Sequence, residues 1–515
     1  MCGIFASLSH NTPDLEILKE NGLKCQHRGP DETKELYISD ENKNIYMMFH
    51  RLAINGLNPE SGQPLTITND NNKILICNGE IYNHKILAEK YDFQLETESD
   101  CEIILHLYNN STVDFFINEL DGVFSFLLFD LVEKKITVGH DPFGIRPLYY
   151  APDFNEINQR YLFSSEMKSL VDLSDKIEFY PPGSFSIIEM ETYEMFTYSY
   201  YDFVYPKILD TEDNIIIKNI RESLIQAVDK RLITDRPLGC LLSGGLDSSI
   251  ITALVCQKLG AENVRTFAIG LEGSPDLESA QKVADYLGTN HTNVIVSEEE
   301  MLKAIDLTIY QIESHDTTTI RASTPMYLLS EYIKVNTDIK VILSGEGSDE
   351  ASGSYLYFHK APSPKEFQQE CIRLLKDVRY YDVLRGDKTT AGNGLELRVP
   401  FFDKIFMQYY MGISPEKKTV RDGMEKYLLR KSFEDMLPEE IVWRRKEGFS
   451  DGVSSFEKPW YKIINDYTLD KFGLTEKEYY QNIYDKYYLG HKDIIPYEWL
   501  PKWSNEINPS GRLIK

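Results

Sequence analysis

Cys2 directly follows the initiator methionine, and a residue that small permits removal of Met1, which would leave Cys2 with a free α-amine. An α-amine titrates at about 8 and a thiol at about 8.5, so near neutral pH the amine takes the thiol proton without any shift. Nucleophile and base would then share one residue. A second stretch has the makings of an anion cradle: Leu241-Leu242-Ser243-Gly244-Gly245-Leu246-Asp247-Ser248-Ser249 stands between a buried strand-like run and a helical one. Two glycines free backbone amides there, and hydroxyls and a helix N-terminus add donors. The loop lacks the lysine of a Walker A motif, and a chance match to its pattern is on the order of 10^-5. Asp247 has no place facing bare phosphate, which implies a magnesium ion between carboxylate and phosphate. A second glycine-rich loop, Ser344-Gly345-Glu346-Gly347-Ser348-Asp349-Glu350, follows the run Val341–Leu343. Its three carboxylates would repel a nucleotide unless cations intervene, so Asp349 reads as a second magnesium contact. Arg321, Arg398 and Lys446 are the candidate positive groups.

Two kinds of element must position these residues. The first half is dense in short strand-like runs, such as Ile74–Cys77, which leads into a turn at Asn78-Gly79, and Val123–Phe129. From Ile215 the rhythm changes to helix Ile215–Leu232, buried strand Leu238–Leu242, helix Asp247–Leu259 and strand Val264–Ile269. That is the β-α-β pattern of a parallel sheet, in which nucleotides bind at the carboxyl edge of the strands. The boundary falls in the polar stretch from Tyr200 to Lys207 and on through Asp210 to Asn214.

The chain has 515 residues, 55 Lys and Arg against 81 Asp and Glu, and a net charge of -26. At about 150 residues per domain it holds two to four domains. A hydrophobic fraction of 42% with 12% aromatics excludes disorder. The acidic balance argues against nucleic acid or an anionic membrane as partner, and for small-molecule chemistry. Seven scattered cysteines with no C-x-x-C pair suit a reducing compartment. The N-terminus has no signal-peptide pattern, and the longest apolar run, Val123–Val132, is broken by Asp130 and falls short of the roughly 20 residues that span a bilayer. A cytosolic protein is expected.

Cys2-Gly3-Ile4, His27-Arg28-Gly29-Pro30-Asp31, Arg51-Leu52-Ala53-Ile54, Asn78-Gly79-Glu80-Ile81-Tyr82-Asn83, Ser99-Asp100-Cys101-Glu102 and Asp141–Tyr149 together resemble the class II glutamine amidotransferases. The resemblance implies an α+β N-terminal nucleophile hydrolase sandwich, with αββα layers, over residues 2–205. Cys2 would attack the glutamine carboxamide, and the Asn78 side chain with the Gly79 amide would form the oxyanion hole. Such donors are worth roughly 3 kcal/mol each. Arg51, alongside Leu52, Ala53 and Ile54, would grip the substrate α-carboxylate, and Asp100 with Glu80 its α-ammonium.

The Ser243–Ser249 loop resembles the pyrophosphate loop of ATP pyrophosphatases, which implies a doubly wound α/β parallel-sheet domain over 214–515. The pairing of the two halves resembles the glutamine-hydrolysing asparagine synthetases. Supporting stretches include Thr317–Pro325, Gly394–Phe401 and Trp443–Gly452, and Leu469–Tyr497 is the weakest part. The resemblance implies that the side-chain carboxylate of aspartate attacks the α-phosphate of ATP. Pyrophosphate leaves, and ammonia then displaces AMP. Leu242, Ser243, Gly244, Gly245, Asp247, Ser248, Ser249, Ile269, Ser344 and Gly345 would hold the nucleotide, with Mg2+ on Asp247 and Asp349. Lys446 would neutralise the α-phosphate, Thr318 and Arg321 would orient aspartate, and Glu346 would accept a proton from ammonia. A homodimer and an apolar ammonia passage between the sites are also implied. Four places depart from the family pattern: His315, Ala351–Ser354, Gly386 and Gly448, of which the added glycines are expected to loosen loops. The rival readings are a related adenylating ligase of the β-lactam synthetase kind and a catalytically silent relative.

Overall fold

Alternation along the strands builds the first half. β1 (Gly3–Ser9), β2 (Glu32–Asp40), β3 (Lys43–Arg51), β4 (Leu65–Ile67), β5 (Asp70–Ile81), β6 (Gly122–Asp130), β7 (Lys135–His140), β8 (Tyr149–Phe154), β9 (Gln159–Ser164), β10 (Glu178–Phe179), β11 (Ser184–Glu189) and β12 (Met195–Ser199) pair antiparallel. They make two six-stranded sheets, ordered β10-β8-β9-β1-β3-β2 and β12-β11-β7-β6-β5-β4. The computed structural model describes residues 1–40, 43–68, 70–154, 159–207, 212–506 and 508–513.

Side chains on a strand alternate between faces, so each sheet has an inner and an outer set. Ile4, Ala6 and Leu8 of β1 pack inward against Ile76, Leu127 and Val138 of the second sheet. Phe5 points the other way, onto Leu18 of α1 (Leu15–Leu23). The outer face of the second sheet, with Leu75, Cys77 and Phe126, is covered by α2 (His84–Tyr91), α3 (Ile103–Asn110) and α4 (Val113–Glu119). The layers run helix, sheet, sheet, helix.

Asn78 and Gly79 form no hairpin turn. They lie inside the twelve-residue strand β5, opposite Ser125 and Phe124 of β6. The apolar run before them, Ile74–Cys77, is buried on both faces of the sheet, and β6 supplies a partner strand long enough to carry the pairing through the glycine.

The second half begins with α5 (Asp213–Lys230), then β13 (Leu238–Leu241), α6 (Leu246–Leu259), β14 (Arg265–Gly270), α7 (Pro275–Leu287), β15 (Asn290–Ile295), α8 (Glu298–Ile312), α9 (Thr317–Asn336), β16 (Val341–Leu343), α10 (Ser348–Ser352), α11 (Pro364–Asp377), α12 (Asp382–Ala391) and β17 (Glu396–Arg398). The five strands are parallel, in the order β15-β14-β13-β16-β17. The chain winds outward from β13 to β14 and β15, then crosses back to β16. That reversal puts a crevice beyond the carboxyl ends of β13 and β16. From Ser248 to Cys256, α6 is buried on every side, as a helix apolar all round must be.

The stretch between β12 and α5 contains residues 208–211, which lie outside the described residues together with part of the expected boundary. The two halves share cores: Met1, Tyr82, Phe143 and Ile145 pack into the interior that contains Leu384 and Phe402, and Phe5 joins a cluster with Ile305 and Trp460. All seven cysteines are free. Among the described residues no helix is long and apolar enough to cross a membrane.

Candidate active site

β1 carries Cys2 to the edge of the sandwich, where its thiol faces the Leu52 carbonyl at 3.8 Å. Asn78, on β5, is fully buried, and neither its amide nitrogen nor its oxygen has a partner. An unpaired buried amide costs free energy unless something fills the role. Arg51 donates to the carbonyls of Gly56 and of Asn58, the latter at 3.0 Å, so its guanidinium is fixed before any ligand arrives. Asp100 accepts from the Ile81 amide at 2.5 Å, and Glu80 accepts from Asn55. Burial pushes both carboxyls up, Glu80 further with the added charge of Asp100. Two carboxyls so placed favour an incoming ammonium.

Met1 is part of this structure. Its ammonium lies 3.5 Å from Glu396, its side chain is buried, and Cys2 therefore presents an amide nitrogen. In this form burial pushes the Cys2 thiol up to about 11, with the neighbouring ammonium pulling the other way. The thiolate is then a small minority at neutral pH. A chain engineered to retain Met1 is expected to lose glutamine-dependent turnover while keeping ammonia-dependent turnover. N-terminal mass spectrometry beside both assays checks this, and full glutaminase activity with Met1 in place would contradict it.

The anion cradle sits at the crevice. Gly244 has φ +68°, and a Cβ there would meet the Ser279 carbonyl carbon at 2.3 Å, so backbone shape and space both demand glycine. α6 follows Gly245, which as its N-cap has no side chain to offer, leaving first-turn amides to a ligand. Ser243 and Ser248 share a hydroxyl contact at 3.1 Å, whereas Ser249 turns back to the Gly245 carbonyl at 2.7 Å. The second loop presses on the first, since a Cβ on Gly345 would meet the Ser248 amide nitrogen at 2.7 Å. Leu242, Ile269, Ser344, Gly345 and Thr318 line one open cleft of about 1490 Å³, counted with the solvent it opens onto.

Cations and carboxylates meet over the cradle. Lys446 donates to Asp349 at 2.6 Å, and Lys426 donates to both Asp349 and Asp247 at 2.6 Å. Burial raises the Asp349 carboxyl, and Lys426 with Lys446 more than reverses this, holding it well below the usual carboxylate range. Burial lowers the Lys446 ammonium, and Asp349 with Asp247 more than restores it. Two carboxylates converging on one ammonium form a cation site of hard oxygens. Among the described residues no group of three or more His, Cys, Asp or Glu side chains could hold a metal alone. Glu346 and Asp382 share the Arg385 Nη2, at 2.8 Å each. Burial raises the Glu346 carboxyl, and Arg385 tempers the rise.

Arg321 and Arg398 do not reach this cleft. Arg321 is 4% exposed and forks onto Glu476 at 2.8 and 2.5 Å, with Asn508 at 2.8 Å. Arg398 is buried between Glu396 and Glu80 and donates to the carbonyls of Arg231 and Ile233. Burial of each charge demands a partner, and the partners lie away from the nucleotide loops. Arg321→Met is expected to lower the melting temperature, since stranding a buried Glu476 costs about 3–5 kcal/mol. The residual enzyme should keep its KM for aspartate. A raised KM at unchanged melting temperature would return Arg321 to the substrate.

Sequence reasoning missed Lys426 and Arg385. Lys426 opens the helix Tyr427–Ser432, where a lysine is ordinarily a solvated charge, and only the fold turns it inward. Gly386 lies within α12 and loosens no loop; a Cβ there would meet the end of the Leu397 side chain at 2.7 Å. His315 sets its ring edge-on against Tyr484 at 5.0 Å, in an aromatic role.

The sequence pattern of the glutamine amidotransferase domain matches residues 1–190, and that of asparagine synthase matches 219–366 and 361–505. A glutamine-hydrolysing asparagine synthetase from Cricetulus griseus is 41% identical over 100% of this chain and 98% of its own length. The chain belongs to the glutamine-hydrolysing asparagine synthetase family. The Homo sapiens asparagine synthetase is 40% identical with the same coverage. Among solved structures, a B. subtilis glutamine PRPP amidotransferase complexed with ADP and GMP covers 57% of this chain and 81% of its own at 16% identity and a TM-score of 0.33, too low to bear on the fold. Like its family, this chain pairs a glutamine amidotransferase domain with an asparagine synthase domain.

Proposed function

We propose that the chain makes L-asparagine from L-aspartate, ATP and L-glutamine, with the half-reactions divided between an N-terminal nucleophile hydrolase sandwich over 2–205 and a synthetase domain over 214–515. Once Met1 is removed, the Cys2 amine takes the thiol proton and the sulfur attacks the glutamine carboxamide. Asn78 and Gly79 hold the oxyanion, Arg51 the substrate carboxylate, and Glu80 with Asp100 its ammonium. Ammonia leaves, and water hydrolyses the thioester to glutamate.

At the second site the aspartate side-chain carboxylate attacks the α-phosphate, pyrophosphate departs, and ammonia displaces AMP from the acyl carbon. Asp247 and Asp349 would hold magnesium, which supplies charge neutralisation on the phosphates. Lys446 and Lys426 turn from those carboxylates to the phosphates. Thr318 lines the aspartate end of the cleft, and Glu346 takes the proton that ammonia loses. The observation that carries this reading is the convergence of Lys426 and Lys446 on Asp247 and Asp349 above the Ser243–Ser249 loop. A chain of net charge -26 that places a buried Lys426 and a part-buried Lys446 there is built for an anionic substrate. Equal yields of asparagine, glutamate and AMP from magnesium-ATP, aspartate and glutamine test it; no AMP from either nitrogen source would overturn it. The free cysteines and the family fit a cytosolic homodimer.

A base must be ionised to take a proton, and the Glu346 carboxyl is held above its ordinary value. Activity per free ammonia should therefore fall as pH drops through a pKa above about 4.3, the ordinary value for glutamate. Arg385→Met removes the charge that tempers the rise, so the acid limb should move to higher pH. A pH–rate profile with ammonium checks it, and a limb that stays put in the variant would contradict it.

A further inference from the structure

Arg28 is 0% exposed and spends its whole guanidinium on three partners from three parts of the chain. Its Nε donates to the Cys2 carbonyl at 3.0 Å, its Nη1 to Glu166 at 2.6 Å, and its Nη2 to Asp387 at 2.7 Å. Cys2 and Glu166 belong to the sandwich, whereas Asp387 lies on α12 of the synthetase half. The other Asp387 oxygen accepts from Arg146 at 3.3 Å. The next residue, Lys388, donates to Tyr149 at 2.9 Å and to Glu313, and it pairs with Glu166 at 3.6 Å.

The same helix serves the other site. Arg385, itself paired with Asp382, donates to Glu346, and Asp387 stands two residues beyond Arg385, roughly 200° around the axis and about 3 Å along it. Every side chain from Val383 to Ala391 is buried, so α12 has no solvent face on which to slip. A close-packed helix of this kind fixes the groups on its two sides together.

We propose that Asp387 is a positioning residue for glutamine hydrolysis: through Arg28 it holds the Cys2 carbonyl, so that the synthetase helix α12 sets the orientation of the nucleophile in the other domain. The inference rests on the reading of Cys2 as the nucleophile. Because a small displacement of a nucleophile costs on the order of a hundredfold in rate, an anchor one guanidinium away is within reach of catalysis. Asp387 touches neither glutamine nor the nucleotide loops.

The test uses the full chain and a diazoketone analogue of glutamine that alkylates the nucleophilic thiol, with the labelled peptide identified by mass. Asp387→Asn should slow alkylation of Cys2 by about tenfold or more and lower glutamine-dependent kcat, leaving ammonia-dependent asparagine synthesis within about twofold of wild type. Arg28→Met should have the same effect, and the double variant no more than either single one, because the two act in series. If Asp387→Asn does not fold, Arg28→Met with Asp387→Leu removes both charges together and should show the same loss of alkylation. Wild-type alkylation rate in any folded member of this set, or additive losses in the double variant, would overturn the proposal. Absence of Cys2 labelling in the wild type would instead overturn the nucleophile reading beneath it.

Discussion

Cys2→Ala is expected to abolish glutamine-dependent asparagine synthesis, by a factor on the order of 10^3 or more, while ammonia-dependent synthesis continues. The size follows from the dual role of the residue. The substitution removes the sulfur that faces the Leu52 carbonyl, and an alanine methyl offers no nucleophile in its place. The selectivity follows from the division of labour. Ammonia supplied from solution bypasses the sandwich, and Lys446, Lys426, Glu346 and the Ser243–Ser249 loop are untouched. Parallel assays with glutamine and ammonium, read as asparagine and AMP, decide the matter. Equal loss with both nitrogen sources would mean that Cys2 supports the fold rather than the chemistry.

Lys446→Ala is expected to do the reverse. AMP and asparagine formation should fall by about 10^2- to 10^3-fold with either nitrogen source, the cost of removing one charge aimed at a transition-state anion in a desolvated site. Hydrolysis of glutamine to glutamate should persist. The loss arises twice over: the α-phosphate loses a cation, and Asp349, which Lys446 contacts at 2.6 Å, loses one of the two ammoniums that hold it ionised. Glutamate release without AMP is the signature. Loss of glutaminase together with AMP formation would point to unfolding, and an unchanged rate would remove Lys446 from the phosphates.

The chemistry-bearing loops were legible in the sequence because each is a contiguous run with a backbone requirement. The Ser243–Ser249 cradle needs Gly244 at positive φ, a strand before it and a helix after it, and all three leave marks in local sequence. Helix and strand periods in the second half placed α5, β13, α6 and β14 to within a residue or two. Asn78-Gly79 misled, because the pair favours hairpin turns and the strand that overrides this preference, β6, lies some 40 residues away in sequence. Arg321 misled for a related reason. A buried arginine and a substrate-reading one look alike in sequence, and the partner that decides, Glu476, sits in the stretch where the family resemblance is weakest. Lys426, Arg385 and Asp387 escaped because their roles are set by contacts between distant segments, which no local pattern records.

The most direct test of the central claim follows oxygen atoms. Aspartate carrying heavy oxygen in its side-chain carboxylate, incubated with magnesium-ATP and ammonium, should deliver one heavy oxygen to the phosphate of AMP in each turnover, with the other retained in the asparagine amide carbonyl. That transfer requires the carboxylate to have attacked the α-phosphate at the cleft where Lys446 and Lys426 meet Asp247 and Asp349. AMP free of the label, or label found in inorganic phosphate beside ADP, would contradict adenylation and with it the account of this site.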